Sequence, residues 1–246
     1  MEQYGLLGFP LKHSFSKKFF TDKFLNENRD ATYINFEISD IAELKNIIDT
    51  HPNLKGLNVT IPYKEQVIPL LDNLSPEAEA IGAVNVIQIK RTENGIHLKG
   101  FNSDIIGFKK SIAPLLLSKH QNALILGTGG ASKAVVVGLK QLGIKTKFVS
   151  RKKKDNMLTY EELTPEIISQ YQIIVNCTPC GMFPHTEECP SLPYDVLTSE
   201  HLLYDLIYNP EETLFLKKGR EQGAVIKNGL EMLHLQALAS WEFWNS

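Results

Sequence analysis

The chain has 246 residues, 43% hydrophobic and 22% charged, with a formal net charge of -2 at pH 7. Those values fit a soluble globular protein of one large or two modest domains, and they exclude intrinsic disorder and any overall attraction to nucleic acid or anionic membrane. An early acid and a proline-broken apolar stretch in MEQYGLLGFPLKHSF argue against a secretory signal, no later run approaches membrane-spanning length, and three cysteines make an odd number, so a reducing, cytoplasmic setting is expected.

Short β-like runs alternate with helical ones through the first hundred residues. YGLLG predicts a strand, residues 16–28 a helix, YINFEI a strand, 41–50 a helix and GLNVTI a further strand. AVNVIQI, from Ala83 to Ile89, predicts another, and RTENGIHLKG follows, whose Asn94-Gly95 pair marks a hairpin turn. A second series begins after Asp104, with a helix over 105–117, the strand ALILG, a helix over 131–142, the strands TKFVS, QIIVNC and LLYDL, and the short run AVIK. A final amphipathic helix over 229–244 has Leu230, Leu233, Ala237 and Trp241 among its apolar positions. This order predicts a two-domain α/β protein with a cleft between its halves.

In GLNVTIPYK a period of two points Val59, Ile61 and Tyr63 to one face and Asn58, Thr60 and Lys64 to the other, provided Pro62 does not shift the register. One face packs and the other can address something polar. Taken alone, Pro62 and Lys64 favour an edge strand with a solvated face.

The stretch ALILGTGGASKAVVVGL joins a buried apolar strand to a helix through Gly127-Thr128-Gly129-Gly130-Ala131-Ser132. Glycines let the backbone turn tightly and approach a pyrophosphate, while the free N–H groups and dipole of the helix start favour the anion. Serine stands at position 132, where the G-x-G-x-x-G pattern has its third glycine, and no G-K-[ST] follows, which disfavours a triphosphate P-loop. The next strand, TKFVS, ends at Ser150-Arg151-Lys152-Lys153-Lys154. An acid at that place would hold the ribose 2′-hydroxyl of NAD; Arg151 suits the 2′-phosphate of NADP, and Asp155 comes a few residues late. A solvated basic loop is the competing reading, and the near-neutral chain without interleaved aromatics speaks against nucleic acid.

Cys177, Cys180, His185 and Cys189 have the residue types and the opening C-x2-C spacing of a structural zinc site. Cys177 closes an apolar strand, however, where a cysteine most naturally packs as a small buried residue. Thr178-Pro179 also fails to open the clear helix that a redox dithiol would have. No metal is expected.

These motifs assemble in order along essentially the whole chain. Ser14-Phe15-Ser16, Asn58 to Lys64, Gly82-Ala83-Val84-Asn85, Asn102-Ser103-Asp104, Gly127 to Ser132, Asn176 to Met182, Tyr208-Asn209-Pro210 and Gly229 to Leu233 leading to Gln236 together resemble the shikimate dehydrogenase family. The resemblance implies a substrate-binding α/β domain over 1–101, onto which a helix over 229–246 packs back, and a Rossmann-like NADP domain over 102–228. It implies reduction of the ring ketone of 3-dehydroshikimate to shikimate, on the route to chorismate and aromatic amino acids, by a monomer or homodimer with no nucleic-acid or membrane partner.

By the same resemblance Lys64 and Asp104 are the catalytic pair. Ser14, Ser16, Asn58, Thr60, Asn85, Tyr208 and Gln236 join them around the substrate. Gly127, Thr128, Gly129, Gly130, Ala131, Ser150, Arg151, Lys152, Thr178, Leu206 and Gly229 surround NADP. The hydroxyls of Ser14 and Ser16, at a helix start that carries Lys17 and Lys18, could hold a carboxylate. Plain core packing outweighs contact for Leu206 and Met232. Three positions depart from the family pattern, since Ser150-Arg151-Lys152 replaces Asn-Arg-Thr and Val86 replaces a threonine. The competing readings are a quinate/shikimate dehydrogenase using NAD, a non-catalytic NADP-binding sensor and a folate-type dehydrogenase.

Overall fold

The computed structural model describes residues 1–11, 15–154 and 156–246. The chain divides into two compact units, residues 1–103 with 236–246, and residues 104–235. No helix among the described residues is long and apolar enough to cross a membrane.

The first unit runs β1 (Glu2–Gly8), α1 (Phe15–Asn26), β2 (Ala31–Glu37), α2 (Glu43–Thr50), β3 (Leu54–Val59), β4 (Asn73–Leu74), α3 (Pro76–Ile81), β5 (Val86–Thr92) and β6 (Gly95–Phe101). Its sheet has the order β2-β1-β3-β5-β6-β4. β1 pairs in parallel with β2 and β3, whereas β5 is antiparallel to β3 and β6. Asn94-Gly95 turns the β5–β6 hairpin, with Gly95 at φ 116°. β1 is buried on both faces, as an uninterrupted apolar run requires. Leu7 joins Leu44, Ile47, Leu57 and Ile87 on one side, while Tyr4 and Leu6 join Phe20, Phe24 and Trp244 on the other.

GLNVTIPYK does not form an edge strand. β3 lies between β1 and β5, and Pro62 falls beyond the end of the strand at Val59. The alternation also stops there, because Ile61 is 73% exposed while Val59 and Tyr63 are buried. Pro62 follows a cis peptide bond in the turn that leaves the sheet.

The second unit runs α4 (Asp104–Ile112), β7 (Asn122–Leu126), α5 (Gly130–Gln141), β8 (Lys145–Ser150), β9 (Leu158–Thr159), α6 (Pro165–Ile168), β10 (Ile173–Asn176), β11 (Leu202–Asp205), α7 (Leu214–Glu221) and β12 (Val225–Lys227). The last helix, α8 (Leu230–Trp244), begins here and ends in the first unit. α4 stops five residues short of the predicted end, at Ile112, and a single tight turn containing Pro114 follows, since proline lacks the N–H that a further helical turn would use.

The second sheet is wholly parallel, in the order β12-β11-β10-β7-β8-β9. Read from β9, this is the doubly wound order 3-2-1-4-5-6 within the unit, and its switch point lies between β7 and β10. Ile125, Val175 and Tyr204 pack with Phe108, Val135 and Leu139 on one face, and Leu124, Ile174 and Leu203 with Phe215 and Leu216 on the other.

Candidate active site

At the end of β7 the chain passes through Gly127 at φ 96°, a conformation that glycine adopts at little cost, and α5 begins at Gly130 with Gly129 as its N-cap. A side chain on Gly127 would come within 2.7 Å of Thr178 Cγ2, so the missing Cβ lets the turn close on the loop after β10. At Gly129 and Gly130 an added Cβ would meet nothing within 4 Å. The turn is therefore an open cradle above a helix N-terminus, at the switch point of its sheet, and it fits a pyrophosphate. Thr128 is exposed and Ala131 half-buried beside it. Ser132 is buried, with its Oγ donating to Gly129 O at 2.6 Å, which ties the cradle to the first turn of the helix.

At the end of β8, Ser150 is half-buried while Arg151 and Lys152 are exposed. Lys153 pairs with Glu162 at 2.5 Å, which holds that carboxyl below its usual range, and neither Arg151 nor Lys152 ion-pairs among the described residues. Asp155 lies outside the described residues.

Thr178 is held twice by Asn176, whose Oδ1 accepts from the Thr178 N–H at 3.0 Å and from its Oγ1 at 2.7 Å. Leu206, half-buried, donates its N–H to Asn176 O at 3.0 Å. Gly229 N–H donates to Ile207 O at 3.0 Å, and an added Cβ would lie 2.1 Å from Leu206 O, so only glycine fits there. Tyr208 is 43% exposed just beyond.

In the first unit, Thr60 donates its N–H to Leu7 O, and Lys64 O accepts from the Val84 N–H at 2.8 Å. Lys64 is half-buried between two anchors, Tyr63, whose hydroxyl donates to Ile38 O at 2.7 Å, and the buried Val67. Ser14 lies outside the described residues, Ser16 is half-buried in α1, and Lys18 is engaged with Asp22 at 2.6 Å.

Behind these residues runs a buried network that carries no formal charge. The Tyr33 ring stacks on Phe20 at 4.9 Å, and its hydroxyl donates to Asn58 Oδ1 at 2.8 Å. Burial pushes the Tyr33 hydroxyl well above the usual phenol range, while a hydrogen bond with Ser16 acts in the opposite sense. Asn58 Nδ2 donates to Ser240 Oγ at 2.9 Å and to Asn85 O at 3.3 Å. Asn85 Oδ1 accepts from the Ser103 N–H at 2.6 Å, and Asn85 Nδ2 donates to Ser103 Oγ at 3.0 Å. Ser103 Oγ lies 3.3 Å from Gln236 Oε1 and 3.1 Å from Ser240 Oγ, and Ser240 donates to Gln236 O at 2.8 Å.

Both amide hydrogens of Asn58 are thus used inside the fold. Asn102 is likewise tied to Ala83 O at 2.9 Å, and the next residue but one, Asp104, opens α4, where a carboxylate suits the helix N-terminus. Tyr33 and Ser240 escaped the sequence reading, and Ser103, though part of the Asn102-Ser103-Asp104 motif, was given no role by it. Tyr33 looks like an ordinary strand aromatic and Ser240 like a small residue in an apolar helix, and only the three-dimensional pairing shows what they hold.

The C-x2-C set does not assemble. Among the described residues the ligand atoms of His185, Glu187 and Glu188 alone form a trio, and all three residues are exposed. Burial pushes the Cys177 and Cys180 thiols up, away from the thiolate that a metal needs.

An open glycine cradle at the switch point of a doubly wound sheet defines a dinucleotide-binding α/β protein, joined here to a second α/β unit with a buried polar cluster. Comparison with known proteins narrows that class. Residues 6–87 match the family model described as the shikimate dehydrogenase substrate binding domain. A shikimate dehydrogenase (NADP(+)) of Methanosphaera stadtmanae is 37% identical over 98% of this chain and 90% of its own. Among solved structures, shikimate 5-dehydrogenase of Listeria monocytogenes in complex with shikimate and NAD has a TM-score of 0.86 at 28% identity, covering 100% of this chain and 92% of that one. The Thermus thermophilus enzyme in complex with NADP(H) and shikimate has a TM-score of 0.84 at 27% identity, covering 99% and 93%. The chain belongs to the shikimate dehydrogenase family.

Proposed function

We infer that Lys64 and Asp104 handle the proton in the reaction this chain catalyses, the NADP-dependent, reversible reduction of 3-dehydroshikimate to shikimate. The observation that carries the cofactor assignment is the cradle from Gly127 to Gly130, open to an anion and followed by Arg151 at the end of the neighbouring strand. NADPH supplies the hydride. The backbone N–H groups at the start of α5 bind the pyrophosphate, and Arg151, with Lys152, neutralises the 2′-phosphate. The substrate residues come mainly from the first unit and the cofactor residues from the second, with Asp104, at the start of the second unit, serving the substrate.

On the substrate side, Ser16 with Ser14 takes the carboxylate. Thr60 and the remaining amide hydrogen of Asn85 address the ring hydroxyls, and Asn58 holds Asn85 and Ser240 in place behind them. The Lys64 ammonium donates a proton to the alkoxide that develops as the ketone is reduced, and in the reverse direction the neutral Lys64 amine takes the proton from the hydroxyl. Asp104 accepts from a substrate hydroxyl and keeps the reacting ring oriented. The three free cysteines suit the reducing cytoplasm in which such a biosynthetic step belongs.

The test is to follow NADPH formation spectrophotometrically with shikimate, then with quinate, and then with NAD in place of NADP. Turnover with shikimate and NADP well above the other combinations is expected. Cofactor binding without turnover would leave the protein a sensor.

A further inference from the structure

Asp205 is the most deeply buried carboxylate that the reaction does not use. It ends β11 with no exposed surface, and three donors converge on it. Asn176 Nδ2 reaches Oδ1 at 3.1 Å, the Ile207 N–H reaches Oδ1 at 3.0 Å, and Thr213 Oγ1 reaches Oδ2 at 2.6 Å. Burial pushes its carboxyl up to about 6, with the three hydrogen bonds acting in the opposite direction, so it is an anion at neutral pH. A buried carboxylate is costly unless its oxygens are hydrogen-bonded, and here three donors meet that need.

The donors lead outward to the cofactor loops. Asn176 is the residue that grips Thr178 through two hydrogen bonds and receives the Leu206 N–H on its carbonyl. Ile207 presents its carbonyl to the Gly229 N–H, at the point where Gly229 packs without a side chain against Leu206 O. Thr213 caps α7, accepting from the Leu216 N–H at 3.4 Å, and so fixes the far end of the same loop. Thr178, Leu206 and Gly229 are the cofactor residues that lie outside the phosphate-binding elements.

We propose that Asp205 is a positioning residue for the nicotinamide half of the cofactor, acting through Asn176 on Thr178 and through Ile207 on Leu206 and Gly229. Asp205 itself bonds neither the cradle nor Arg151, and it reaches the cradle only at second hand, where Thr178 meets Gly127, so the phosphate-bearing half depends on it less than the nicotinamide half. The proposal rests on the NADP-dependent reading above.

The experiment measures, by calorimetry, the affinities of the full chain for NADP+ and for 2′-phospho-ADP-ribose, which lacks the nicotinamide. Asp205→Ala is expected to bind NADP+ about tenfold more weakly, the worth of a charged hydrogen-bond anchor, with a clearly smaller loss for 2′-phospho-ADP-ribose. Asn176→Ala, which removes the side-chain link between Asp205 and Thr178 and leaves the backbone bond to Leu206, carries the same expectation if the first variant does not fold. An equal loss for both ligands, or no loss for NADP+, overturns the proposal. A wild-type chain that binds neither ligand would instead overturn the functional reading itself.

Discussion

The two units solve the same problem with different chemistry. Each brings loops from the carboxyl ends of neighbouring parallel strands to a switch point, β1 with β3 in one and β7 with β10 in the other. Behind the substrate side lies a neutral network of Tyr33, Asn58, Asn85, Ser103 and Ser240, together with Gln236. Behind the cofactor side lies a single carboxylate, Asp205, with Asn176 and Thr213. A neutral network holds its geometry across the physiological pH range, whereas a buried carboxyl poised near 6 couples loop geometry to protonation.

The largest expected effect separates chemistry from binding within the first unit. Lys64→Ala should lower kcat by about 100- to 10,000-fold in steady-state assays while NADP+ affinity stays at the wild-type value. Near-normal turnover would remove Lys64 from the mechanism.

The next prediction uses the charged anchor. Asp205 has a folded-state value of about 6, above its ordinary 3.8, so the fold favours the protonated form. That stabilisation is complete below the unfolded value and is lost as pH rises through the folded one. Asp205→Asn, which cannot ionise, should therefore gain on wild type by up to roughly 3 kcal/mol between about pH 4 and pH 8, read from denaturant unfolding. A pH-independent difference would show that Asp205 titrates normally.

Arg151→Gln comes third. It should weaken NADP+ by about ten- to a hundredfold and change NAD+ affinity by less than about twofold, because only the 2′-phosphate is lost as a partner. Equal losses for both cofactors would place Arg151 elsewhere. The smallest effect belongs to the neutral network. Ser240→Ala removes one acceptor of Asn58 and should raise the KM for shikimate about fivefold, the worth of one uncharged hydrogen bond.

The sequence made some of this legible and hid the rest for physical reasons. The glycine turn could be read because its chemistry is local, a strand, a tight turn and a helix start within a few residues. The α/β alternation was readable from hydrophobic period. Sheet order was not, and so GLNVTIPYK looked like an edge. Its neighbours β1 and β5 are distant in sequence, and Pro62 lies beyond the strand it seemed to interrupt. Asp205 was invisible because an acid at the end of LLYDL reads as a solvated strand end, and only the convergence of Asn176, Ile207 and Thr213 shows it buried. The departures from the family pattern at Ser150, Lys152 and Val86 have no distinct consequence in the geometry.

The contrast between the two anchors is tested most directly by measuring shikimate and NADP+ affinities side by side for Ser240→Ala and Asn176→Ala. Ser240→Ala should weaken shikimate alone, and Asn176→Ala should weaken NADP+ alone. If either variant weakens both ligands by the same factor, the two sites are not organised separately by their own units, and the account is wrong.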